Sequence, residues 1–417
     1  MLAARGGTLV VGGGFGGAHV ARLLGEATII SPESSMLYTP LLPEVAAGAL
    51  EPRHAYVPLR MMCPDAELLR GRVTALHEAA RTVTVETELG HVEVSYRRLV
   101  VALGSVARML PVPGLAEHAM TFKDLGDAVR LRNHVLRRLD LAEADPRHAS
   151  RHLVFVFVGA GYAGVEALAE LRQLVQDAIH HYPGLRDVQQ RWVLVDAGPG
   201  ILGEVPHQLA DHTTAQLRRH GVEILTSSTV SSVDARGVTL GDGRRIDTAT
   251  LVWTAGVVAN PLVGTLGLPL DRSGRIRVDG SLRVVGRTDV WALGDCAAVP
   301  NAATPARLDP PTCQHAVRQA RAVVASMGGV TRPYAYRSIG EGATLGRGRG
   351  VARILRVHVH GRLGSLVTRA YHLSVVPVRS RRLRILADGL LSTVFRRDIA
   401  ELGSLEPAKP GRVPSLT

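Results

Sequence analysis

The sequence predicts an α/β protein built from two Rossmann-like units, followed by a smaller C-terminal α+β module. Three observations predict it. A short apolar strand pattern, Thr8–Val11, runs straight into Gly12-Gly13-Gly14-Phe15-Gly16-Gly17 and then into a helical stretch ending at Leu24. The same order recurs with Leu153–Val158, the loop from Gly159 to Gly164 and a helical pattern to Ile179. Beyond residue 330 the composition changes. Residues 331–400 hold 14 arginines against Glu341, Asp388 and Asp398, a net charge of +11 in a chain whose total is +12. At 417 residues the chain is too long for one core, so several domains are expected.

The elements follow in order. Ala27–Ile30 reads as the second strand of a βαβ start, residues 67–101 as short alternating strands, and Leu99–Ala102 as a buried strand ending at Leu103-Gly104-Ser105. A helical period occupies Leu125–Leu141, and Ala144–Arg151 is a polar connector. In the repeat, Trp192–Val195 is the second strand, 222–253 the meander, and Thr254-Ala255-Gly256 its end. Asp289–Leu293 is a further strand, and a helix that begins after Pro310-Pro311 and runs to about Met327 precedes the basic module. The duplication divides the chain into a discontinuous domain of 1–120 with 270–330, a second domain of 121–269, and the module 331–417.

Each glycine loop matches G-x-G-x-x-G between a strand and a helix: Gly12, Gly14 and Gly17, then Gly159, Gly161 and Gly164, with 147 residues between the copies. The first glycine makes the tight turn, the second lets backbone approach a pyrophosphate, and the third lets helix pack on strand. The helix N-terminus offers N–H groups and a positive dipole end to the phosphates. Two dinucleotides are therefore expected. A ribose-binding acid belongs at the end of each second strand. Asp196 stands there in the second unit with no arginine in Ala197-Gly198-Pro199, which favours NADH over NADPH. In the first unit Ser31 stands there instead, with Glu33 two residues on.

The segment from Thr288 to Asp295, with Ala292 and Gly294-Asp295 at its end, fits the signature of FAD-binding reductases. With the glycine loops it makes the chain resemble the type II (alternative) NADH dehydrogenases, the NADH:quinone oxidoreductases of the FAD/NAD(P)-binding pyridine nucleotide-disulfide oxidoreductase superfamily. Pro40–Gly48, Trp253–Val257, Pro311–Gln319, Gly340–Gly346 and Phe395–Asp398 resemble other family segments. Cys313 stands where alanine is usual, and Arg369 and Tyr371 stand near His372-Leu373 where tryptophan is usual.

The resemblance implies a glutathione-reductase-like arrangement in which Asp295 binds the FAD ribitol. It places FAD on Gly12, Gly14, Phe15, Gly17, Ser31, Glu33, Ala102, Gly104, Gly294, Asp295 and Gln314, and NADH on Gly159, Gly161, Gly164, Glu166, Asp196, Ala255 and Gly256. Glu166 positions the nicotinamide, Gln314 lies on the acceptor side, and His315 is a candidate proton donor to a reduced quinone, menaquinone or ubiquinone. The helix starting near Thr312 follows two prolines that suit its first turn, and its positive end suits the anionic reduced flavin. Cys313 reads as packing. No metal site is expected.

Leu383, Ile385, Leu386, Leu390, Leu391, Val394 and Phe395 fall roughly on one helical face, flanked by Arg379, Arg381, Arg382, Arg384, Arg396 and Arg397. This pattern suits an interfacial helix on an anionic membrane, or a homodimer contact. It fits a peripheral enzyme on the cytoplasmic face of the cell membrane, since quinones dissolve in the bilayer. Nucleic-acid binding is excluded by the lack of an aromatic platform or reading motif beside the arginines. Only Cys63, Cys296 and Cys313 occur, with no Cys-x-x-Cys, so neither a disulfide framework nor a dithiol redox centre is expected. No apolar run of about 18 residues reads as a membrane span. Two alternatives remain: a soluble NAD(P)H-dependent reductase with a protein or oxygen acceptor, and a non-enzymatic NADH-sensing flavoprotein.

Overall fold

A computed structural model describes residues 2–203, 205–338, 340–355 and 357–403; residues 404–417, the end of the predicted C-terminal module, lie outside the described residues. Along the chain run β1 (Thr8–Val11), α1 (Phe15–Leu24), β2 (Thr28–Ser31), α2 (Leu42–Ala46), β3 (Glu67–Arg70), β4 (Arg72–His77), β5 (Thr82–Thr87), β6 (Gly90–Ser95) and β7 (Arg98–Val101). Next come β8 (Met120–Thr121), α3 (Leu125–Ala144), β9 (Val154–Val158), α4 (Tyr162–Ala178), β10 (Arg191–Val195) and β11 (Val222–Leu225). Then follow β12 (Val230–Asp234), β13 (Gly237–Leu240), β14 (Arg245–Asp247), β15 (Thr250–Trp253), β16 (Val290–Ala292) and α5 (Cys313–Met327). The last elements are β17 (Gly340–Thr344), β18 (Gly350–Ile354), β19 (Val357–His360), α6 (Gly361–Val375) and α7 (Arg379–Val394).

Two five-stranded parallel sheets organise the molecule, in the orders β16-β7-β1-β2-β3 and β8-β15-β9-β10-β11. Their inner strands are buried on both faces, which is why β1 and β9 read as unbroken apolar runs rather than alternations. Each sheet carries an antiparallel meander, β4-β5-β6 in the first copy and β12-β13-β14 in the second. One edge strand is borrowed from across the duplication: β16 follows the second unit in sequence but pairs with β7 of the first. Residues 105–107 pair antiparallel with 257–259, so the exits of the two units are tied together.

The basic C-terminal region is built into this frame. Its sheet β17-β18-β19 lies under α6, where Gly350 lets the backbones close up; a Cβ there would stand 2.7 Å from Ser365 backbone atoms. Residues 397–402 are stitched to the second unit's helices. Arg132 of α3 donates to the carbonyls of Ala400 (2.7 Å) and Asp398 (2.8 Å), Asn133 exchanges two hydrogen bonds with Leu402, and the buried Arg397 pairs with the buried Glu170 of α4.

As expected, the helix begins after Pro310 and Pro311, with Thr312 as its N-cap, its hydroxyl accepting from the His315 N–H. One local expectation needs correction. On α7 the exposed face holds Leu383, Leu386, Leu390, Leu391 and Val394, while Ile385 turns inward against the core. Residues two apart on a helix lie nearly opposite each other, so Ile385 cannot share the face of Leu383.

Candidate functional site

The two glycine loops have nearly the same geometry. Gly12 and Gly159 take φ of 111° and 106°, the left-handed region that disfavours side chains. A Cβ on Gly17 would lie 1.9 Å from the carbonyl oxygen of Gly12, and one on Gly164 1.9 Å from that of Gly159. Gly14 and Gly161, the N-caps of α1 and α4, instead face open space, and neither helix has a side-chain cap. The uncapped N–H groups are thus free for an anion, and a dinucleotide pyrophosphate fits both cradles.

Around the first cradle, Ala102 is buried against Gly12, Gly104 takes a left-handed turn, and Phe15 packs at 5.4 Å from the Tyr38 ring. Ser31 is buried at the end of β2 and accepts from the Glu33 N–H at 3.3 Å; Glu33 itself is exposed. Asp295 sits in a short turn after β16. It accepts from the Ser105 hydroxyl at 2.5 Å, and Lys123 donates to the same hydroxyl at 3.0 Å. This Lys123–Ser105–Asp295 chain escaped the sequence reading; the only available signal was that Lys123 is one of two lysines. The turn is braced by Gln319 of α5, which accepts from the Gly294 N–H at 2.7 Å and donates to Asp309 at 2.8 Å. A cavity of about 490 Å³ opens between Asp295, Ser105, Thr312 and His315.

Around the second cradle, Asp196 accepts from the N–H groups of Ala160 (2.6 Å) and Gly198 (2.7 Å), which places its carboxylate against the glycine loop. Ala255 and Gly256 follow β15, with Gly256 left-handed and its carbonyl accepting from Arg108 N–H.

Glu166 is not a solvated helix-surface residue. Its carboxylate accepts from the Thr344 N–H at 2.8 Å and from the Thr344 hydroxyl at 3.3 Å. Burial, then the nearby Glu44 carboxylate, hold its pKa well above the usual carboxylate range. Glu44, on α2, is buried, and one of its carboxylate oxygens has no partner. Burial and then Glu170 push its pKa up to about 7, opposed by Arg369 and Arg397. Neither Glu44 nor Glu170 was singled out in the sequence, because nothing local marks a carboxylate whose partners arrive from the far end of the chain.

At the start of α5, Gln314 lies beside the side chain of Tyr371. The neighbouring His372 lies 3.3 Å from the hydroxyl of the buried Tyr38. His315 is committed on both ring nitrogens, to Thr312 at 2.7 Å and towards Asp309 at 3.6 Å, and burial lowers its pKa. Burial raises the Cys313 thiol to about 12, so it is neutral and packs as a small apolar group.

Comparison with known proteins agrees with this geometry. The family model described as Pyridine nucleotide-disulphide oxidoreductase matches residues 7–320. Type II NADH:quinone oxidoreductase Ndh of Mycobacterium tuberculosis is 31% identical over 393 residues, covering 88% of this chain and 83% of that one. NdhA of the same organism, also a type II NADH:quinone oxidoreductase, is 30% identical over 411 residues, covering 92% and 86%. The solved structure of NDH2 from Plasmodium falciparum in complex with NADH shares the fold, with a TM-score of 0.86 at 17% identity over 94% of this chain and 99% of that one. The chain therefore belongs to the pyridine nucleotide-disulphide oxidoreductases and, within them, to the type II NADH:quinone oxidoreductases.

Proposed function

We propose that the protein oxidises NADH by hydride transfer to FAD and passes two electrons to a quinone. The observation that carries this reading is the pair of uncapped glycine cradles, tied exit to exit through residues 105–107 and 257–259. In this reading residues 1–120 and 270–330 hold FAD. Gly12, Gly14 and Gly17 take its pyrophosphate, Phe15, Ser31, Glu33, Ala102 and Gly104 its adenosine side and Asp295 its ribitol. Gly294 and Gln314 flank the flavin. Residues 121–269 hold NADH, with Gly159, Gly161 and Gly164 on the pyrophosphate, Asp196 on the ribose, and Glu166, Ala255 and Gly256 beside the nicotinamide. FAD supplies the two-electron acceptor; the chain supplies alignment and a dry, charged surround. Gln314 and Tyr371 line the acceptor side, with His315 behind them as a brace.

Purified protein is expected to show a flavin spectrum that one equivalent of NADH bleaches anaerobically and a soluble quinone analogue restores. Flavin that bleaches but returns only with oxygen or a protein acceptor would overturn the quinone assignment. Bound NADH without bleaching would indicate a sensor.

The C-terminal module 331–417 is the attachment to the cytoplasmic face of the membrane in this reading. Among the described residues no helix is long and apolar enough to cross a membrane. On α7, Leu383 and Val394 are 68% and 75% exposed, and Leu386, Leu390 and Leu391 lie between them, with Arg379 and Arg384 at the same end. Burying each such side chain in lipid is worth about 1.5–3 kcal/mol, and each arginine near an anionic surface about 1 kcal/mol. Leu390→Glu with Val394→Glu touches no buried contact and is expected to abolish flotation with anionic vesicles while leaving quinone-analogue reduction intact. A variant that still floats, or a wild type whose exposed face is covered by a second copy in solution, would reassign this face to a homodimer.

A further inference from the structure

Of the groups that this function leaves unused, Glu44 is the most unusual. It lies in α2, only 8% exposed, on a helix with no cation of its own. The groups facing it come from every neighbouring element. From α4 come Glu166 and Glu170, from α6 Arg369, from the closing segment Arg397, and from the preceding turn Tyr38. Arg397 is engaged by Glu170, and its backbone N–H by Asp177 at 3.1 Å. Arg132 of α3 is turned to the carbonyls of Asp398 and Ala400, and His54 is paired with Asp388 at 2.5 Å, so neither neutralises Glu44. Three carboxylates thus share one enclosed space with a single ion pair, and one oxygen each of Glu44 and Glu170 stays unpartnered. Like charges in a dry space cannot all ionise, so the group retains a proton.

We propose that Glu44 holds this proton and supplies it, through Tyr38 and His372, to the acceptor during quinone reduction. The stoichiometry calls for a second proton, which such a donor supplies. NADH gives up a hydride, two electrons with one proton, whereas a quinone becomes a quinol by taking two electrons and two protons. The second proton leaves the Glu44 carboxyl, an O–H bond forms on the quinol oxygen, and water reprotonates Glu44. Part of the route is present in the fold. Tyr38 lies close enough to Glu44 for its hydroxyl to feel that carboxylate, the Tyr38 hydroxyl lies 3.3 Å from Nδ1 of His372, and the adjacent Tyr371 lies beside Gln314 at the head of α5. Burial keeps His372 neutral near neutral pH, with its pKa lowered to about 4, so it relays a proton without storing one. The relay to the acceptor rests on the quinone reading above; the stored proton does not.

Infrared spectra of the oxidised holoenzyme at neutral pH are expected to contain the carbonyl stretch of a protonated, buried carboxylic acid that Glu44→Gln removes. In turnover, wild-type kcat with a quinone analogue should fall as pH rises through the neutral range, because the donor is lost. Glu44→Gln should lower kcat roughly ten- to hundredfold and erase that limb, with Glu44→Asp restoring part of it, while the rate of flavin bleaching by NADH is unchanged. Glu170→Gln removes a negative neighbour of Glu44 and should move the limb to lower pH, which decides the matter if Glu44→Gln does not fold. A missing Glu44-dependent carbonyl band, or a pH limb untouched by both variants, overturns the proposal. A wild type that does not reduce quinone but keeps the band would instead overturn the quinone reading alone.

Discussion

Arg397→Ala is expected to cost about 3–5 kcal/mol of folding stability. Arg397 is 5% exposed, and its guanidinium meets the carboxylate of Glu170, which is fully buried. Truncation leaves the buried Glu170 carboxylate without its ion-pair partner beside Glu44 and Glu166. The penalty is the stranding of that charge rather than the worth of the pair, and a double-mutant cycle separates the two. Arg397→Ala together with Glu170→Gln should recover more than half of the loss, because neither partner then remains ionised alone. Urea unfolding of the FAD-loaded protein measures both. A loss below about 1 kcal/mol in the single variant would mean that the pair is hydrated, as exposed ion pairs are. The same contact predicts that removing the C-terminal region as a unit destabilises the protein: Arg397 and Thr344 cover carboxylates on α4, and cutting the chain near residue 332 would uncover them.

The parts of the fold legible in the sequence are those whose cause is local. The runs Thr8–Val11 and Val154–Val158 are apolar throughout because their strands sit in the middle of parallel sheets, and the glycines follow because the next turn has no room for a Cβ. Asp196 was legible for the same reason, being fixed by its place at the end of β10. The acidic pocket was not, since Arg397 reaches Glu170 across 227 residues and Thr344 reaches Glu166 across 178. Periodicity reports which face of a helix is buried, but not what is buried against it. Ile385 shows the same limit on a smaller scale: a rough helical-face pattern groups it with Leu383 on the lipid-facing side, and only packing places it inward. The Lys123–Ser105–Asp295 chain joins the legible flavin signature to Ser105 and Lys123, which nothing local ties to it.

The glycine loops make the sharpest functional test, because the two copies should fail differently. In Gly164→Ala the new methyl carbon would lie 1.9 Å from the Gly159 carbonyl oxygen and 2.6 Å from the Thr254 hydroxyl, both inside van der Waals contact. The first obstacle is backbone, so it cannot rotate away. Relief requires α4 to lift off β9, and that displaces the N–H groups that face the pyrophosphate. It also shifts Glu166, two residues along the helix, from its hydrogen bonds to Thr344. The variant should keep its flavin spectrum but lose at least about a hundredfold in kcat/KM for NADH, equivalent to about 2.7 kcal/mol of transition-state stabilisation. Gly17→Ala meets the carbonyl of Gly12 at the same 1.9 Å, yet its helix serves the other nucleotide, so that protein should purify without flavin. A Gly164→Ala variant that lost its flavin while Gly17→Ala kept it would exchange the two assignments. Ser31 sharpens the contrast: with no acid ending β2, the first cradle leans more on the pyrophosphate contacts and on Asp295, and tolerates loss of its loop geometry less than the second, where Asp196 also braces the loop through the Ala160 N–H.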